Sequence, residues 1–150
     1  MSETFHAGDL LNSLIELEKT GHAFYEEAAK RTSDGKAAEL FRFLAGEEAK
    51  HEKIYTDLAG AFRKTAPSEE PLDADYNAYL KALLSRSFHF EQADFENLDA
   101  ALRFAVSLEK DTLLYVAEIQ NILGSQKKDL FEEIKNEERR HLRILTEYRK

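Results

Sequence analysis

The chain contains no cysteine, so it forms no disulfide and offers no thiolate to a metal, to catalysis or to a Cys-ligated iron centre. Proline occurs only twice and glycine six times in 150 residues, which leaves few helix breakers and permits long helices. No apolar run approaches the roughly 20 residues needed to span a bilayer, and the N-terminal MSETFHAGDLL has no basic stretch ahead of an apolar one. Lys and Arg are nowhere concentrated, and the formal charge of −8 argues against binding a phosphate backbone. These absences predict a cytoplasmic protein without nucleic-acid or membrane partners, whose acidic balance suits cation uptake.

What is present points to helices. The composition is 43% hydrophobic and 33% charged, and residues 1–150 fit a single domain large enough to bury a core unaided. Helical spacing of Leu11, Leu14, Glu18, Tyr25 and Ala28 predicts a helix over about 9–31, with the SDG at 33–35 as stop and cap. A second is predicted over about 36–64, ended by Pro67 and Pro71, and a third over about 98–123, with Leu102, Ala105, Glu109, Val116, Ile119 and Leu123 inward. The fourth follows the GS turn at 124–125 and covers about 126–149. Residues 65–97 form a long crossover with a short helix near 76–84, its inner face made of Tyr76, Tyr79, Leu80, Leu83 and Leu84, and with Phe88, Phe90 and Phe95 capping the bundle end. The fold class is therefore all-α, a four-helix bundle with one long crossover.

Polar residues interrupt the apolar seams. Phe41, Leu44, Glu48, His51, Tyr55, Leu58 and Phe62 follow one another at steps of three and four, as do Phe131, Ile134, Glu138, His141, Leu145 and Tyr148. Each seam carries a Glu and a His where an apolar residue belongs. The two segments, 40–58 and 130–148, share seven identities in nineteen positions, and LEK recurs at 17–19 and 108–110. Two helical hairpins of one ancestral kind explain both repeats.

Glu18 and Glu109 are likewise carboxylates on apolar stripes. Glu18 and Glu48 each lie about 22 Å from the first turn at 1.5 Å per residue, so they meet at one level, and Glu109 and Glu138 do the same from the second turn. Four carboxylates and two imidazoles in one buried layer cannot stand alone, because desolvation and mutual repulsion both oppose their charge. Two divalent cations would bring about +4 against about −4, and mixed carboxylate and imidazole donors suit iron or manganese, with zinc as an alternative. Glu and His three apart project from one helix face, so each hairpin can hold one metal. Glu47 and Glu137 are rival donors four residues before each His, read here as rim groups or as groups standing behind the ligands. His22, one turn after Glu18, is read as core or as a neighbour of the site, while His6 and His89 are read as surface residues.

In LEKTGHAFY, EEAKH, SLEKD and EERRH the chain resembles the rubrerythrin family of ferritin-like di-iron carboxylate proteins. The resemblance implies two iron ions, the first held by Glu18 and His51, the second by Glu109 and His141, with Glu48 and Glu138 bridging. It also implies that Tyr25 hydrogen-bonds a metal carboxylate. Two departures stand out. Rubrerythrins commonly carry a rubredoxin domain with four cysteines, absent here, so electrons would come from a separate rubredoxin-type donor. Many also have an extra Glu one turn before the third-helix ligand, where this chain has Val106. The implied activity is reduction of hydrogen peroxide or dioxygen by a di-iron peroxidase or oxidase, in a homodimer or larger homo-oligomer. Ferroxidase or iron-handling work, a metal-stabilised structural or binding bundle, and oxygenase chemistry are the alternatives.

Overall fold

The computed structural model describes residues 7–65, 73–84, 93–123 and 126–149. His6, Pro67, Pro71, Phe88, His89, Phe90 and the 124–125 turn lie outside the described residues, as do the side chains of Phe62 and Leu84. Among the described residues all elements are helices: α1 (Ala7–Arg31), α2 (Gly35–Thr65), α3 (Ala74–Leu84), α4 (Leu98–Leu123) and α5 (Lys128–Arg149). α1 packs along α2 and α4 along α5, and the two hairpins meet through α1 and α4. The crossover between hairpins carries the short α3. Among the described residues no helix is long and apolar enough to cross a membrane.

Local chemistry sets the helix ends. The amide of Thr32 closes α1 onto the Ala28 carbonyl, 3.0 Å away, and Asp34 caps α2 by accepting from the Ala37 amide at 3.0 Å. Asp73 accepts from the amides of Asp75 and Tyr76 at the start of α3. Asn97 accepts from the Ala100 amide at 3.1 Å to cap α4. α5 starts at Lys128, two residues later than the sequence reading places it, because Lys127 adopts φ 55° and completes the turn in the left-handed region.

The apolar stripes meet in one core. Phe41, Leu44, Phe131, Ile134 and Leu145, which occupy matching places in the two seams, are fully or almost fully buried. Phe24 forms an aromatic cluster with Tyr25, Phe95 and Phe104, at ring distances of 5.3, 5.5 and 4.7 Å. Phe95 thus closes part of the core from the crossover. Among the described side chains of the predicted α3 face, Leu80 is fully buried, Tyr76 and Leu83 are partly buried against the core, and Tyr79 is 42% exposed. Tyr76 and Tyr79 both donate to the Glu118 carboxylate on α4, which holds their hydroxyls toward the rim, while Tyr115 donates to the Leu83 carbonyl. Replacing Asn97 by Ala removes the α4 cap and is expected to lower unfolding stability by about 1 kcal/mol in urea titrations, with Asn97→Asp close to the parent.

Candidate metal centre

The helix registers bring five of the six predicted ligands into two overlapping groups. Donor atoms of Glu18, His51 and Glu138 lie within 4.8 Å of one another, and so do those of Glu109, Glu138 and His141. Glu138 is common to both. All five are buried, none more than 2% exposed. α1, α2, α4 and α5 each contribute to this layer, which sits mid-bundle between apolar residues on either side.

Glu48 is equally buried, at 2%, but belongs to neither group. Its carboxylate lies against α1 at Gly21, with Cδ 3.1 Å from where a side-chain Cβ would stand. Any larger residue there would press on it. The repeat puts the buried Thr112 in the position corresponding to Gly21, its hydroxyl donating to the Leu108 carbonyl at 3.1 Å. Glu48 thus has a recess at a glycine, and the equivalent place on α4 carries a side chain, while Glu138 stands in both donor groups.

A second ring of contacts runs crosswise between α2 and α5. His51 Nε2 lies 2.6 Å from Glu137 Oε2 and His141 Nε2 lies 3.7 Å from Glu47 Oε1, so each imidazole turns its outer nitrogen to the opposite helix. Lys50 holds Glu47 at 2.6 Å. These partnerships place Glu47 and Glu137 behind the histidines. Nδ1 of each ring consequently faces the acid layer. The Tyr25 hydroxyl donates to Glu109 Oε1 at 2.7 Å, across from α1 to α4. His22, by contrast, points outward: Nδ1 meets the Ala45 carbonyl at 2.8 Å and Nε2 meets Glu26 at 2.5 Å. It lines a surface cleft of about 450 Å³ with Arg42, Gly46 and Lys30, which corrects its reading as a core residue.

The electrostatics of this layer are those of an incomplete site. Both oxygens of Glu18 and of Glu138, Glu109 Oε2 and the Nδ1 atoms of His51 and His141 are buried without a hydrogen-bond partner. His51 Nδ1 comes within 2.7 Å of Glu138 Oε1, yet not in line for a hydrogen bond. Burial, then the charges of Glu138 and Glu109, pushes the Glu18 carboxyl well above the usual range. Burial, with Glu138 beside it, raises Glu109 to about 8. For His141 burial acts downward, but the Glu109 and Glu138 carboxylates, 3.8 and 3.7 Å from Nδ1, outweigh it and raise the imidazole to about 10. For Glu138 burial acts upward, and the neighbouring Glu109, His141 and His51 outweigh it, holding the carboxyl far below the usual range.

A family model for rubrerythrin matches residues 9–148. The chain belongs to the rubrerythrin family. A crystal structure from Thermotoga maritima, described as that of a ferritin-like diiron-carboxylate protein, is similar to it with a TM-score of 0.71 and 24% sequence identity. The alignment covers 99% of this chain and 97% of that one, and it shows that the fold is ferritin-like. No curated protein matches the chain.

The donor set of this rubrerythrin fits the metals its family implies. Carboxylate oxygens and imidazole nitrogens converge from four helices, and the atoms that converge are those left without partners. Two predictions follow from the contacts and charges. Glu137→Ala frees the His51 ring and is expected to weaken metal binding by about tenfold or more, with a smaller loss for Glu47→Ala at its longer contact, as read by equilibrium titration. The second concerns the metal-free protein. Glu109 and Glu18 have folded-state values above their unfolded ones, so the unfolded chain sheds those protons first as pH rises from about 4.5 toward 8. The His141 contribution, full below its unfolded value near 6.5, is lost as pH rises toward 10. Both act in one direction: the thermal midpoint of metal-free protein falls from pH 5 to pH 9, and bound divalent metal removes most of that fall.

Proposed function

We propose that this rubrerythrin is a di-iron oxidoreductase that reduces hydrogen peroxide, or dioxygen, with electrons from a separate donor protein. The observation that carries the reading is the pair of carboxylate and imidazole groups sharing Glu138, with unpartnered atoms turned inward. Glu18 and His51 would hold one iron and Glu109 and His141 the other. Glu138 would bridge them, and Glu48 would join as the second bridge by leaving its recess at Gly21. Bound as a ferrous pair, iron supplies the two electrons that cleavage of the O–O bond in peroxide requires.

The protein's own share is to bind, orient and keep out water. Leu17, Leu44 and Ile134, each within one helical turn of Glu18, Glu48 or Glu138, are buried with them, so charge in the layer acts at low dielectric. Tyr25 keeps Glu109 in one orientation through its hydroxyl, and Glu137 does the same for His51.

Protein loaded anaerobically with two Fe(II) per chain and mixed with hydrogen peroxide or with dioxygen in a stopped-flow instrument separates the readings. Faster formation of the diferric absorption with peroxide is expected. Faster oxidation by dioxygen would replace peroxide reduction by oxidase or ferroxidase work. Glu138→Ala, which deletes the shared carboxylate, is expected to abolish loading of the second iron, and Glu48→Ala to reduce it; unchanged metal content in both would sink the ligand assignment.

A further inference from the structure

Eight buried side-chain atoms among the described residues have no hydrogen-bond partner, and seven of them belong to the proposed ligands Glu18, His51, Glu109, Glu138 and His141. The eighth is the hydroxyl of Tyr55. A buried phenol without an acceptor is costly, on the order of 1–3 kcal/mol for an unsatisfied polar group. An apolar residue would fill the same seam position without that penalty, as Leu145 does at the corresponding place on α5.

Its placement mirrors that of Tyr25. Tyr25 follows Glu18 by seven residues on α1, and Tyr55 follows Glu48 by seven on α2. Side chains lean toward the N-terminus of their helix, and these two helices run antiparallel, so the phenols approach the acid layer from its opposite ends. The Tyr55 ring stands 6.2 Å from that of His51, one turn further along α2. The repeat has Val116 where α1 has Tyr25 and Leu145 where α2 has Tyr55, so the second hairpin supplies no phenol at either place.

The consequence is a missing donor. Tyr25 crosses from α1 to Glu109 on α4; the exchange of halves would have residue 116 cross from α4 to Glu18, and valine cannot donate. Glu18 is left with both oxygens unpartnered. Tyr55 packs on His51, whose donor atom lies within 4.8 Å of one from Glu18, so its hydroxyl stands on the Glu18 side of the layer.

We propose that Tyr55 is the positioning residue for Glu18, its hydroxyl donating to a Glu18 carboxylate oxygen when the Glu18, His51 and Glu138 group holds a metal, as Tyr25 donates to Glu109. This inference rests on the dinuclear reading given above. The two halves of the site are then held by phenols drawn from one hairpin, on different helices.

Cobalt(II), whose absorption reports its coordination, tests this in single-position variants. In a His141→Ala background, where the Glu18 and His51 position remains, Tyr55→Phe is expected to weaken cobalt binding by about tenfold or more. In a His51→Ala background Tyr55→Phe leaves the affinity as it was, while Tyr25→Phe weakens it. Metal-free Tyr55→Phe is expected to melt at or above the parent temperature, because it deletes a hydroxyl that has no partner there. An unaltered affinity in the His141→Ala background, or a lower melting temperature of the metal-free variant, overturns the assignment. A parent protein that takes up no cobalt overturns the dinuclear reading and this inference with it.

Discussion

Four glutamates buried in one layer cannot all be charged without a compensating cation, and the rest of the molecule is arranged around that constraint. An apolar bundle of this length would be stable with leucines in their places. Instead α1, α2, α4 and α5 each bring a carboxylate to the same height, none more than 2% exposed. Without metal the layer balances itself by retaining protons on Glu18 and Glu109 and on the imidazole of His141. A divalent cation held there would take the place of those protons, so metal uptake would be coupled to proton release. The hydrophobic residues on either side of the layer therefore have two tasks: they supply the folding free energy that tolerates the acids, and they keep out the water that would otherwise solvate them.

The two halves of the site are related by the sequence repeat but are not equivalent. Gly21 gives Glu48 a recess, and the corresponding residue on α4 is Thr112. Glu137 sits 2.6 Å from His51, while Glu47, drawn to Lys50, stands 3.7 Å from His141. Tyr25 reaches Glu109, and its repeat counterpart is Val116. Two of these differences substitute a residue, and one changes the contact made by equivalent glutamates. The result is one carboxylate, Glu138, at the centre of both groups and one, Glu48, drawn aside.

The architecture was legible because charge at an apolar position is a conspicuous signal. Glu48, His51, Glu138 and His141 interrupt strict three-and-four spacing, and the level of Glu18 and Glu109 follows from counting residues to the nearest turn. Other features depend on distances between helices, which a single strand of spacing does not carry. Nothing in the sequence of α2 tells that Glu47 will turn to His141, since that contact is set by how α2 and α5 face each other. His22 is four residues from Glu18, which rotates it about 40° around α1; packing against the Ala45 carbonyl decides that this points it to the surface. The start of α5 was obscured in another way, because the left-handed residue is Lys127, where composition gives no warning.

Tyr55 is the case where pattern and chemistry point apart. By spacing it is an ordinary seam aromatic, and its burial agrees. Only the inventory of hydrogen bonds distinguishes it, because Tyr25, equally buried, has an acceptor and Tyr55 has none. A buried donor without an acceptor calls for an explanation, and the group that Tyr55 packs against, His51, shares its cluster with Glu18, whose two oxygens also lack partners. Under the proposal above, one arrangement satisfies both: the hydroxyl and the carboxylate would pair once the acids around them are held by metal.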